Sequence, residues 1–177
     1  ARVEPDMFRQ QLAAQLPEEI PIYQVEEVSL TNPSATKSLQ QAEYVIGLGL
    51  EASTQTEPSW AEWIEAVKST PELLWEKTTK SGKVKTLNLR EWLYQLELLP
   101  VEDSSLPSSA PAALDPPQAV VKFIGSSRND GTLLKPEQVA WMLSQVAQQP
   151  IEVQQVHRQR LIFQPEAAAT EPQSVSV

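Results

Sequence analysis

Residues 119–163, AVVKFIGSSRNDGTLLKPEQVAWMLSQVAQQPIEVQQVHRQRLIF, read as strand, helix and strand. AVVKFIG (119–125) is a short run of β-branched and aromatic residues, and Asn129-Asp130-Gly131 is a turn after it. Pro136 suits the first position of a helix, where a missing N–H is harmless. Val139, Leu143 and Val146 then recur at helical spacing to about residue 147, and Pro150 stops the helix. IEVQQVHRQRLIF (151–163) returns to strand.

Upstream, AEYVIGLGLE (42–51) is another strand, and Gly47 and Gly49 on one of its faces point to close approach of a second element. Ser59 and Glu62 form a capping-box pattern ahead of a helix carrying Trp60, Trp63, Ile64 and Val67, which Thr70-Pro71 ends. ELLWEKTT (72–79) and KVKTLNL (83–89) flank Lys80-Ser81-Gly82, a hairpin signal. A helical turn over 90–94 and a strand over 95–99 follow.

The order α-β-β-α-β-β-(β)-linker-β-α-β predicts an α+β fold in two layers. It is built from ferredoxin-like βαβ units with helices on one sheet face. Residues 5–16 read as a helix with a Phe8, Leu12, Leu16 stripe, and 20–30 as an edge or bulged strand. These two elements have no evident partners. Residues 1–41 are therefore expected to end a preceding βαβ unit whose N-terminal portion is missing. Residues 42–163 form the main domain, interrupted at 100–118 by a linker with five Pro, four Ser and no Gly. Residues 164–177 read as a disordered tail.

Composition limits the chemistry. The 177 residues include no Cys and one His, His157. That excludes disulfides, thiolate-held zinc, an iron–sulfur cluster and a cysteine nucleophile. It also excludes any site needing two imidazoles. The net charge of −9 lies in residues 1–76, which hold four basic and thirteen acidic side chains; residues 77–177 hold ten of each. Any nucleic-acid contact must then be local. No apolar run approaches the ~20 residues that span a bilayer. The chain is expected to be cytoplasmic and to have no membrane partner.

Two groups of cations carry the binding hypotheses. Lys77, Lys80, Lys83, Lys85 and Arg90 are the only charged residues between 77 and 90. On a twisted hairpin they form either a basic ribbon reaching phosphates or a solvated edge that prevents strand aggregation. Trp75 and Trp92 flank it, as stacking rings or as core. Arg158 and Arg160 share a face in simple alternation and could grip a phosphate or carboxylate, while His157 falls opposite with Val153, Leu161 and Phe163 as a structural residue. Trp60 and Trp63 either line a partner surface or belong to the core. Glu18-Glu19 and Glu26-Glu27 are adjacent, so each pair splits between faces and forms no acid–base dyad. No residue stands out as catalytic and no set as metal-ligating.

LPEEIPIYQVEEVSL (16–30), AEYVIGL (42–48), KSGKVKTLNLREWLYQLELL (80–99) and GTLLKPEQVAWML (131–143) together resemble the radical SAM-linked domain family of bacteria. That family occurs alone or at the C-terminus of radical SAM proteins that also carry a B12-binding-type domain. The resemblance covers about residues 5–163 but not the βαβ segment that begins the family domain, so this chain resembles its C-terminal part. It implies a non-catalytic accessory domain serving a radical SAM enzyme. The iron–sulfur cluster and SAM would then sit only in a linked domain or partner, since no thiolate is present here. A macromolecular substrate such as RNA would be positioned by the 77–90 hairpin. The rival expectations are a protein–protein interaction module with no nucleic-acid role, and an independent enzyme.

Overall fold

The structure is a computed structural model that describes residues 3–30, 33–50, 59–79, 82–100 and 116–164. It divides into two compact units, Ala1–Ser34 and Ala35–Val177.

In the first unit, helix α1 (Pro5–Ala13) opens on Pro5 and closes with the Ala14 N–H on the Gln10 carbonyl. It stops three residues short of the expected end and buries no residue, so Phe8 and Leu12 face solvent. Residues 20–30 do not form the expected strand; they enter no ladder. The cause is local. Pro21 removes a backbone donor, and Glu26 and Glu27 interrupt the apolar alternation. Ile20, Tyr23, Val28 and Leu30 stay exposed.

The second unit begins with one helical turn, α2 (Ala35–Ser38), then strand β1 (Leu39–Leu50). Residues 39–41, assigned from sequence to the preceding segment, thus belong to the sheet. Next come α3 (Trp60–Ser69), a hairpin of β2 (Leu74–Thr78) and β3 (Val84–Asn88), a 3-10 turn at Leu89–Trp92, and β4 (Leu93–Leu99). The unit ends with β5 (Ala119–Ser126), α4 (Pro136–Ala147) and β6 (Ile151–Phe163).

Four strands form one antiparallel sheet in the order β4-β5-β1-β6. With α3 after β1 and α4 between β5 and β6, this is the βαββαβ arrangement of a ferredoxin-like fold, with β2–β3 inserted as a separate two-stranded sheet. Of the expected linker (100–118) and tail (164–177), residues 101–115 and 165–177 lie outside the described residues.

Both helices cover the same sheet face. Ile46 and Leu48 of β1, Val121 and Phe123 of β5 and Leu96 of β4 meet Ile64 and Val67 of α3 and Met142 and Leu143 of α4 in one buried cluster. Phe123 is fully buried and stacks on Tyr44 with ring centroids 5.1 Å apart. Ser59 sits at the N-cap of α3 as the capping pattern predicts, but its side chain makes no cap hydrogen bond. The reciprocal contact appears instead at α4, where the Lys135 N–H donates to Gln138 Oε1 at 2.9 Å. The other sheet face comes close to other groups at its glycines. A Cβ on Gly47 would stand 2.9 Å from Pro117 Cβ, and one on Gly49 only 2.3 Å from Gln154 Nε2.

Candidate functional site

The hairpin's base is held by one side chain. Asn88 Oδ1 accepts from the Leu73 N–H at 3.0 Å and the Arg90 N–H at 3.3 Å, while Asn88 Nδ2 donates to the Pro71 carbonyl and to Glu91. Leu73, at the start of the hairpin, is buried in the core. At the far end, Gly82 takes φ 77°, a left-handed backbone natural to glycine. The Thr79 N–H donates to the Lys83 carbonyl at 2.8 Å and closes the loop.

The ladder between these ends fixes which side chains share a face. Trp75 is opposite Leu87, and one pleat further Lys77 is opposite Lys85. Both pairs lie on one face, because alternate residues of a strand point the same way. Trp75 and Leu87 pack against the core, and the Trp75 ring meets Trp141 of α4 edge-on, centroids 4.9 Å apart at 89°. Lys77 and Lys85 run past the edge of that contact into solvent. Alternation carries Lys83 to the same side, while Glu76 points to the other with Thr86. Among the described residues no carboxylate pairs with Lys77, Lys83 or Lys85. Directly opposed ammonium groups repel, so this face would gain from a nearby negative charge.

The remaining residues singled out in the sequence divide differently. Lys80 lies outside the described residues. Arg90 is not part of the ribbon: its guanidinium donates to the Leu93 carbonyl at 2.9 Å and the Lys68 carbonyl at 3.1 Å. It ties the end of α3 to the start of β4, and so serves the fold. Trp92 packs against the core, as Trp75 does. Trp60 is only 7% exposed, and its ring meets Trp63 at 5.1 Å, so Trp60 presents no partner surface; Trp63 is half-buried against the same core.

Arg158 and Arg160 do not share a face. The β1–β6 register shifts between Glu43 and Tyr44, which pairs Arg160 with Glu43 but Arg158 with Tyr44. Neighbours on β1 point to opposite sides, so the arginines diverge. His157, opposite Val45, takes the side of Arg160 rather than that of Val153 and Leu161, which pair with Leu48 and Ala42. Arg160 is also committed: its Nη2 lies 2.8 Å and its Nε 2.9 Å from Oε2 of Glu43, a carboxylate buried in the sheet. Arg158 remains exposed.

A second polar cluster lies on β4 and β5. Glu97 accepts from the Gln95 amide and pairs with Lys122 at 3.4 Å. The Gln95 hydrogen bond, helped by Lys122 and Lys68 and opposed by desolvation, holds the Glu97 carboxyl below its ordinary value. Beside it, Lys68, Arg90, Tyr94 and Glu97 line an open groove of about 330 Å³. The four adjacent glutamates, Glu18, Glu19, Glu26 and Glu27, are all exposed. No described helix is long and apolar enough to cross a membrane.

Fold and site together define a ferredoxin-like α+β domain with an inserted hairpin whose lysines face outward in opposed positions. Residues 1–136 match the family described as uncharacterized protein conserved in bacteria (DUF2344), and the chain belongs to that family. No curated protein matches it. Among solved structures, a chain from "Crystal Structure of a Cbf5-Nop10-Gar1 Complex" is similar at 12% identity with a TM-score of 0.43. The similarity covers 74% of this chain and 33% of that one, so this chain spans about a third of its length.

Proposed function

We propose that this chain is a non-catalytic accessory domain that positions an RNA substrate for a radical SAM enzyme. The observation that carries the RNA part is the direct opposition of Lys77 and Lys85, with Lys83 beside them and no carboxylate partner among the described residues. Such a face gains most from the closely spaced phosphates of a nucleic acid. The acidic remainder of the chain confines the contact to the hairpin. The radical SAM part rests on the sequence resemblance, and the cluster and SAM would belong to the linked domain or partner, because this chain has no Cys.

The test is binding of the whole chain to a structured RNA across a salt series, with Lys77, Lys83 and Lys85 each changed to Gln and then all together. The reading expects affinity that falls with salt, with a log–log slope of about 2–3 for two or three phosphates, and that drops with each lysine removed. Absence of affinity at low salt, or affinity indifferent to the triple variant, would sink it. Failure to recover a radical SAM protein with the natively expressed chain from its source cell would remove the second part.

A further inference from the structure

Resting on that reading, we infer that the hairpin takes double-helical RNA and grips its phosphate backbone without stacking on unpaired bases.

Proteins that hold single strands combine cations with aromatic faces on which bases lie. The hairpin has the cations but not the platforms. Trp75 shares the face of Lys77 and Lys85, yet its ring is engaged edge-on with Trp141 and packs against the core. Trp92, at the hairpin's other flank, also packs against the core. The outward residues of the opposite face are Leu74, Glu76, Thr78, Val84 and Thr86, which offer neither a ring nor a positive charge.

Recognition must then come from charge alone, and charge favours the denser polyanion. A duplex carries two phosphates per base step, one charge per ~1.7 Å of axis in B-DNA, whereas a single strand carries half that number. A short footprint of two or three ammonium groups on an otherwise acidic chain gains most where phosphates are closest. The rigid presentation fits this as well. Asn88 and the Trp75–Trp141 contact fix the ribbon at its base, so the lysines are held in register before any ligand arrives.

The test compares an RNA duplex with an oligouridine of the same phosphate count, at one low salt concentration, using the whole chain and the Lys77→Gln/Lys85→Gln variant. The expected result is a duplex bound about tenfold more tightly, with that preference lost in the variant. Oligouridine bound as tightly as duplex, still dependent on the lysines, overturns the duplex preference and leaves the RNA reading standing. Tyr94, 51% exposed on β4, is a ring in this unit that a base could reach. Weakened binding in Tyr94→Ala would likewise overturn the claim that no stacking is involved. Binding of neither RNA, or binding unaffected by the variant, defeats the RNA reading and this inference together.

Discussion

Arg160 and Glu43 are 117 residues apart in the chain, yet two guanidinium nitrogens lie within 2.9 Å of a single carboxylate oxygen. The arginine is largely solvated and the glutamate is not: their side chains are 65% and 9% exposed. The pair is therefore asymmetric. Losing the arginine strands a buried charge, whereas losing the glutamate frees a solvated one.

Arg160→Ala should destabilise the second unit by about 1–2 kcal/mol, a figure reduced from that of a fully buried pair because the arginine is solvated. Glu43→Gln in the same background should restore part of the loss. Chemical denaturation of the single and double variants measures both. RNA binding should be unchanged in Arg160→Ala, because its guanidinium is already committed to Glu43.

Trp75→Ala should cost about 2–3 kcal/mol, since it removes a half-buried indole and its edge contact with Trp141. Amide exchange should accelerate first in β2 and β3, which pair only with each other.

Lys85→Glu separates fold from binding. It replaces the repulsion with Lys77 by a cross-strand attraction, so the hairpin should gain about a few tenths of a kcal/mol. Nucleic-acid affinity should fall by more than it does in Lys85→Gln. A thermal melt and a binding titration on the same sample decide this.

Glu97 supplies a pH dependence. Its folded carboxyl titrates below its unfolded value, mainly through the Gln95 hydrogen bond. Its stabilisation is therefore complete above the ordinary glutamate range and fades as pH falls through the depressed folded value. Since the side chain is 43% exposed, the contribution is small. Glu97→Gln should be slightly less stable than the parent at neutral pH and equal to it in strong acid, as read from parallel denaturation curves.

Much of the second unit was legible because period and punctuation agree there. Pro136 and Pro150 bracket α4, Gly82 marks the hairpin loop, and the core residues Val139 and Leu143 fall at helical spacing. The segment from Ile20 to Leu30 was misread because its β-branched and aromatic residues suggest a strand even though Pro21 and the Glu26-Glu27 pair break the pattern. The site was half legible. Lysines at 77, 83 and 85 are visible in any strand reading, but the opposition of Lys77 to Lys85 depends on register, which the loop geometry sets. Arg90 was misassigned because a guanidinium bound to backbone carbonyls looks, in sequence, like any other cation. Asn88 was missed, since one asparagine at a strand end gives no sign that it holds four groups together.

The register of β6 against β1 slips three times, between Leu39 and Gln41, Glu43 and Tyr44, and Gly47 and Leu48, while that of β5 against β1 never slips. The two neighbours of the central strand therefore differ in how they tolerate changes of length. At two of these shifts β6 carries the extra residue, Gln154 and Gln159, so a deletion there straightens a kink and leaves the facing of the rest of the strand unchanged. In β5 the same deletion would turn every later side chain inside out, sending Phe123 to the face away from the helices. Length variation among relatives should thus gather at the outer strand and spare the inner one.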